Sequence, residues 1–145
     1  MTIPERTGNT ILDRLPEEDF HRIFAHMEKV SPEVGEVVAY PDKEPRWVHF
    51  PVSGVLSSMV VLEDGSMIEA STIGNEGMDG LYLMADPLAN PYRINVQVQG
   101  DMLRMSASNF RRALAESHAL KQLLLRHCAR ITCAICPDMV NFTNA

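Results

Sequence analysis

Three cysteines near the end of the chain have the spacing that comes nearest to a chemical site. Cys128, Cys133 and Cys136 follow the Cys-x4-Cys-x2-Cys spacing of plant-type iron–sulfur sites, which also need a fourth, distant cysteine. The chain has three cysteines in all, and the apolar period around them predicts a helix, whereas such ligands normally come from a loop. We therefore expect no metal here and interpret these residues as small buried thiols.

No other group of residues has a catalytic pattern. Ser53 precedes Gly54 without the Gly-x-Ser-x-Gly spacing of a nucleophile elbow, and no phosphate loop is present. The histidines are scattered, without a His-x-x-x-His pair, at His21, His26, His49, His118 and His127. The sequence therefore predicts no catalytic residue, no cofactor and no enzyme activity.

Composition restricts the class of protein further. A chain of 145 residues with 46% hydrophobic residues can bury a core as one domain. Its net charge of −6 disfavours a surface that binds DNA phosphates. We find no signal peptide and no apolar run of about 20 residues that could span a membrane. We therefore expect a cytoplasmic protein with reduced cysteines, no membrane contact and no DNA binding by the chain itself.

The elements that would position a site follow a simple order. Apolar spacing predicts two short helices between Asn9 and Met27, broken at Leu15. Short apolar runs separated by turn residues then predict a small β-sandwich or barrel from Val30 to Met105. Within it, Asp64-Gly65 predicts a tight hairpin in which both residues have positive φ.

The C-terminal segment predicts two helices, the second of which could form a dimer. Ser106 and Ser117 are candidate helix caps. After Ser117, apolar residues recur at steps of four, three, four and three, the a/d rhythm of a coiled coil: Leu120, Leu124, His127, Ile131 and Ala134. We favour a partner helix across a two-fold axis; the alternative is that this face packs on the chain's own β-roll.

Three strings in sequence order support a family resemblance. They are Val34-Gly35-Glu36-Val37-Val38, then Val48-His49-Phe50-Pro51-Val52-Ser53-Gly54-Val55-Leu56-Ser57, then Ile73-Gly74-Asn75-Glu76-Gly77-Met78-Asp79-Gly80. With the order of helices and strands, they resemble the effector domain of the Crp–Fnr transcription regulators, the family of the catabolite activator protein. The resemblance implies a mainly β fold with flanking helices: a jelly roll of the cyclic-nucleotide-binding type and a long C-terminal dimerisation helix. Gly35 and Gly54 then suit its corners.

The residues that bind the nucleotide in that family are altered in this sequence. Nucleotide-binding members place a Glu after a glycine to hold the ribose, and an Arg about ten residues later to pair with the cyclic phosphate. The resemblance aligns Gly80 with that glycine, and it puts Leu81 at the Glu position, Asn90 at the Arg position and Tyr92 at the following small residue. Arg93 is close by, but an odd shift along a strand turns a side chain to the opposite face. We therefore do not expect cyclic AMP to bind as it does in the family.

These observations predict a sensory and dimerising module of a Crp–Fnr-like regulator. Residues 1–116 would form the N-terminal helices and the β-roll, and residues 117–145 the dimerisation helix and tail. We expect a homodimer, an unknown small-molecule effector, and DNA contact only through a helix-turn-helix domain that this chain lacks. The alternatives are a cyclic-nucleotide-binding domain with an altered phosphate cassette and, less favoured, a cupin-like jelly-roll enzyme, which would need two or more histidines with a carboxylate.

Overall fold

A computed structural model describes residues 3–85 and 90–135 of the chain, with side chains as far as residue 131. The helices are α1 (Thr10–Asp13), α2 (Glu17–Phe24), α3 (Ala107–Glu116) and α4 (His118–Ile135), with a 3₁₀ helix at Leu81–Met84. The strands are β1 (Glu28–Val30), β2 (Val37–Ala39), β3 (Trp47–Pro51), β4 (Val55–Val61), β5 (Met67–Ile73), β6 (Tyr92–Val98) and β7 (Met102–Ser106). The predicted mainly β fold with flanking helices is confirmed.

Two antiparallel sheets form the roll. One has the strand order β1-β7-β3 and the other β2-β6-β4-β5. In the three-stranded sheet, Val48 lies opposite Met105 and Phe50 opposite Leu103. Because side chains alternate along a strand, His49 and Arg104, which also lie opposite each other, occupy the other face.

The two faces of the three-stranded sheet contribute to different hydrophobic cores. Val48 and Phe50 pack with buried residues of all four helices in the larger core. Met102, on the opposite face, packs with Leu56 and Ile94 of the four-stranded sheet in the smaller one. The first core therefore joins the helices to the roll, and the second lies inside the roll.

Polar side chains set where the helices begin. Ser106 Oγ accepts a hydrogen bond from Asn109 N at 3.1 Å, and Ser117 Oγ accepts one from Leu120 N at 3.1 Å. Both predicted caps are therefore present. Asn9 caps α1, and its buried side-chain amide also donates to the carbonyls of Pro51 and Gly77 at 2.9 Å each. This one residue ties the N-terminus to the roll.

Two turns differ from the prediction in physical detail. In the β4–β5 hairpin only Gly65 has positive φ, and Gly65 N donates to Leu62 O at 2.9 Å. The turn is therefore a three-residue loop with glycine in the left-handed position, and not the tight turn with positive φ at both Asp64 and Gly65. Gly54 has no positive φ; it suits a crowded position, since a Cβ there would lie 3.2 Å from the carbonyl oxygens of Val98 and Gly100 and would displace the Met102 methyl group.

Candidate functional site

The 3₁₀ helix directly follows Gly80, where any side chain would force neighbouring atoms to move. A Cβ on Gly80 would lie 2.5 Å from Val48 Cγ1, closer than non-bonded carbon atoms approach. Leu83 is buried, and Leu81 is half-buried against the larger core. Leu81 therefore presents an apolar side chain, part of it used for packing, at the position where the resemblance implied a ribose-binding acid.

Asn90 is occupied by contacts within the chain. It is fully buried, and its Nδ2 donates to the carbonyl of Tyr40 at 2.7 Å. Its Oδ1 accepts from Tyr92 N at 3.0 Å, and its own carbonyl accepts from Asp42 N at 2.9 Å. Asn90 therefore joins the residues after β2 to the start of β6, and its amide is committed to the backbone.

Tyr92 and Arg93 lie on different faces of β6. Tyr92 packs against the core inside the roll, together with Ile94. The Arg93 guanidinium is instead exposed and lies 3.7 Å from Met67 Sδ on the neighbouring hairpin. Strand β6 therefore supplies no positive charge to the roll interior. Residues 86–89, which come directly before Asn90, contain one acid and no base.

A buried histidine–aspartate pair, which the sequence reasoning missed, lies directly before Gly80. Asp79 Oδ1 accepts from His49 N at 2.6 Å, and Asp79 Oδ2 lies 2.9 Å from His49 Nδ1. Asp79 N also donates to the His49 carbonyl at 3.2 Å. Both residues are almost fully buried. They are 30 positions apart, so no local spacing could have indicated the pair.

The Asp79 carboxylate also influences a neighbouring tyrosine of the 3₁₀ helix. Burial, and to a lesser degree the negative charge of Asp79, raise the pKa of Tyr82 above its ordinary range. Its hydroxyl therefore stays protonated at neutral pH and can serve only as a neutral hydrogen-bonding group.

His49 faces a cavity of about 360 Å³ between β2, β3 and β7. Trp47, Arg104, Val37 and Val38 are among its lining residues. The Arg104 guanidinium lies 4.0 Å from the centre of the Trp47 ring and pairs with Glu28. This volume is at the lower end of the range of small-molecule sites. A stacked aromatic–guanidinium wall and one buried imidazole could hold a small planar or polar molecule.

Comparison with solved structures identifies the architecture. The catabolite activator protein of Thermus thermophilus aligns with a TM-score of 0.71 at 10% identity, over 92% of this chain and 62% of its own. A putative cyclic nucleotide-binding protein from Geobacter metallireducens gives 0.72 at 16% identity, over 92% and 98% of the two chains. The sensor domain of the transcriptional regulator DNR from Pseudomonas aeruginosa gives 0.67 at 14% identity, over 86% and 83%.

The chain has the cyclic-nucleotide-binding fold. No protein-family model and no curated protein matches its sequence. At these identities the structural matches establish the fold alone. The chain spans 62% of the length of the Thermus protein.

Helix α4 begins with residues that face the chain's own core, whereas the sequence favoured a face turned toward a partner helix. Leu120 and Leu124 are fully buried in the chain's own larger core, which is the alternative that the sequence left open for these two residues; the rest of the dimer seam stays a prediction. His127 and Ile131 are half-buried, and the side chain of Ala134 lies outside the described residues. Leu125 is 45% exposed on the other side of α4. The first two turns of α4 carry apolar residues on both sides, and the roll covers one of them.

Of the three cysteines, only Cys128 has a described side chain. It is half-buried, and burial raises the pKa of its thiol, so the thiolate that binds metals is disfavoured. Cys133 and Cys136 lie beyond the described side chains, and the residues that are described hold no group of three metal-ligating side chains. Within the part of the chain that the structure describes, no helix could span a membrane.

Proposed function

We propose that the chain is the effector-sensing and dimerising module of a Crp–Fnr-like transcription regulator. The fold supports this proposal, since structures with the same architecture include a catabolite activator protein and the sensor domain of a regulator. DNA would be bound by a separate domain, because a net charge of −6 disfavours binding to the many phosphates of a duplex.

The observation that carries the proposal is a path from the cavity to α4 that consists of the His49–Asp79 hydrogen bonds and a shared hydrophobic core. His49 lines the cavity and binds Asp79, the residue directly before Gly80 and the 3₁₀ helix. Leu83 of the 3₁₀ helix shares the larger core with Leu120 and Leu124 of α4. Since protein interiors are close-packed, a ligand that moves His49 would require the core under α4 to repack. We propose that the effector occupies this cavity and shifts the population of α4 positions.

The proposed effector is not a cyclic nucleotide held in the usual way. Asn90 is bound to backbone groups and Arg93 is on the outer face, so no cation faces the interior from the start of β6. Arg104 lines the cavity but already pairs with Glu28, so a cyclic phosphate would keep its charge and lose hydration without a free cation to compensate. A small molecule that stacks on Trp47 and hydrogen-bonds to His49 suits the cavity better.

Hydrogen exchange of the full chain tests the contact path. Leu83→Ala should speed amide exchange in α4 beyond the loss of global stability, because the 3₁₀ helix shares the larger core with that helix and contacts α3, which in turn contacts α4. Leu56→Ala is the matched control, since Leu56 is fully buried in the other core. If α4 exchanges equally in both variants after correction for global stability, the proposed coupling is wrong.

The revised orientation of α4 places the proposed dimer contact on its exposed side. Leu125→Glu should convert a dimer into monomers, because it would bury a carboxylate in the partner contact. Leu62→Glu is the control, since Leu62 has a similar exposure of 41% on the distant hairpin. Sedimentation velocity distinguishes the two. A wild-type chain that is monomeric at tens of micromolar would refute the dimer.

A further inference from the structure

A second cavity, with none of the lining residues of the first, lies between α1, α4 and the loop before Met78. Its volume is about 350 Å³. Ile11 and Leu123 are apolar residues of its lining, and Arg14, Arg126 and Arg130 also line it. Three of the chain's 13 lysines and arginines therefore converge on one cavity of a protein that is acidic as a whole.

These arginines differ from others in the same structure. Arg22, Arg104 and Arg111 each pair with a carboxylate. Among the described residues, Arg14, Arg126 and Arg130 form no ion pair and no side-chain hydrogen bond. All three arginines are exposed, so solvent screens their mutual repulsion and their charges remain available to a ligand.

The only acid that lines this cavity, among the described residues, is partly committed to its own loop. Glu76 Oε1 accepts a hydrogen bond from Gly74 N at 3.1 Å. With His127 neutral, three arginines and one glutamate leave the lining with a net charge of +2. The cavity therefore has room and charge for a small molecule that carries two or more negative charges.

We propose that this cavity binds a small polyanion, either a phosphorylated metabolite or a di- or tricarboxylate, between α1 and α4. Arginine guanidinium groups bind both kinds of oxyanion through paired, charge-assisted hydrogen bonds. The ligand would join α4 to α1 and so restrict the helix that the roll is proposed to move. The site itself does not depend on the sensing role of the roll.

His127 gives the proposed site a dependence on pH. Its ring lies against the loop, where a Cβ on Gly77 would be 2.8 Å from Nε2. Burial lowers the pKa of His127, with Arg130 acting in the same direction and Glu76 opposing it. Arg14 and Arg126, from α1 and from its own helix, add further positive charge around the cavity. A bound polyanion would favour the imidazolium, so binding should take up a proton and strengthen as the pH falls.

Calorimetry with inorganic phosphate and with citrate, at constant ionic strength set by sodium chloride, tests the proposal. The wild-type chain should bind at least one of them with one site per chain. Arg126→Gln/Arg130→Gln should weaken binding by about tenfold or more, as expected for lost hydrogen bonds between charged groups. Arg112→Gln on α3, a matched exposed arginine outside the cavity, should not change it.

The two probes distinguish the ligand class, and the pH series tests His127. Tighter binding of phosphate indicates a phosphorylated ligand, and tighter binding of citrate a polycarboxylate. Phosphate and citrate also take up protons over this range, so each affinity is expressed for the fully ionised probe. That affinity should rise between pH 8 and pH 6 in the wild type, and His127→Gln should flatten the rise. Circular dichroism confirms that the variants are folded. The proposal is overturned if sodium chloride alone gives the same binding heat. It is also overturned if the double variant binds phosphate and citrate as tightly as the wild type does.

Discussion

Two adjacent leucines of α4 allow the orientation of that helix to be measured. Leu124 is fully buried in the larger core, whereas Leu125 is 45% exposed. Truncating a buried leucine to alanine removes apolar burial and leaves a cavity, which costs about 2–5 kcal/mol. We expect Leu124→Ala to lower the free energy of unfolding by about 3 kcal/mol, since close-packed neighbours surround it on the roll. Leu125→Ala should cost less than about 0.5 kcal/mol within one chain.

The comparison requires a protein concentration at which any dimer has dissociated, because association adds its own stability. For a chain of this length, about 3 kcal/mol corresponds to a fall of roughly 10 °C in Tm. Urea unfolding followed by circular dichroism gives the free energies, and a thermal scan gives Tm. Equal losses in the two variants, or a larger loss in Leu125→Ala, would mean that α4 is rotated by about 100°, which is one residue step of a helix. The core described above would then be wrong.

Three further predictions concern the site. Asp79→Ala should destabilise the chain by about 1–3 kcal/mol, measured by urea unfolding, because it leaves the buried His49 N–H groups without their acceptor; a loss no greater than that of the exposed Asp64→Ala would contradict the pair. Cyclic AMP and cyclic GMP should bind with dissociation constants weaker than about 10 μM, or roughly 7 kcal/mol, in calorimetry; tighter binding that is lost in Arg93→Ala would show that this arginine turns inward. Elemental analysis of anaerobically purified protein should find negligible iron and zinc, since a plant-type cluster needs a fourth cysteine; near-stoichiometric metal would reverse that expectation.

Much of the fold could be predicted because its signals are local. The break between α1 and α2, the caps at Ser106 and Ser117 and most of the strands depend on residues a few positions apart. The three-residue strand β1 was missed, since so short a run carries no period of its own. Strand β2 begins three residues later than its apolar run, because Gly35 has a positive φ and turns the chain there.

The sequence by itself determined the class of fold, the absence of a basic residue between Gly80 and Tyr92, and the apolar character of α4. Tertiary structure decided which side of α4 meets the roll, because both Leu124 and Leu125 satisfy an apolar helical pattern and only packing distinguishes them. It also brought His49 to Asp79, and Arg14 to Arg126 and Arg130. These residues are far apart in sequence, and only the folded chain places their charges close enough to interact.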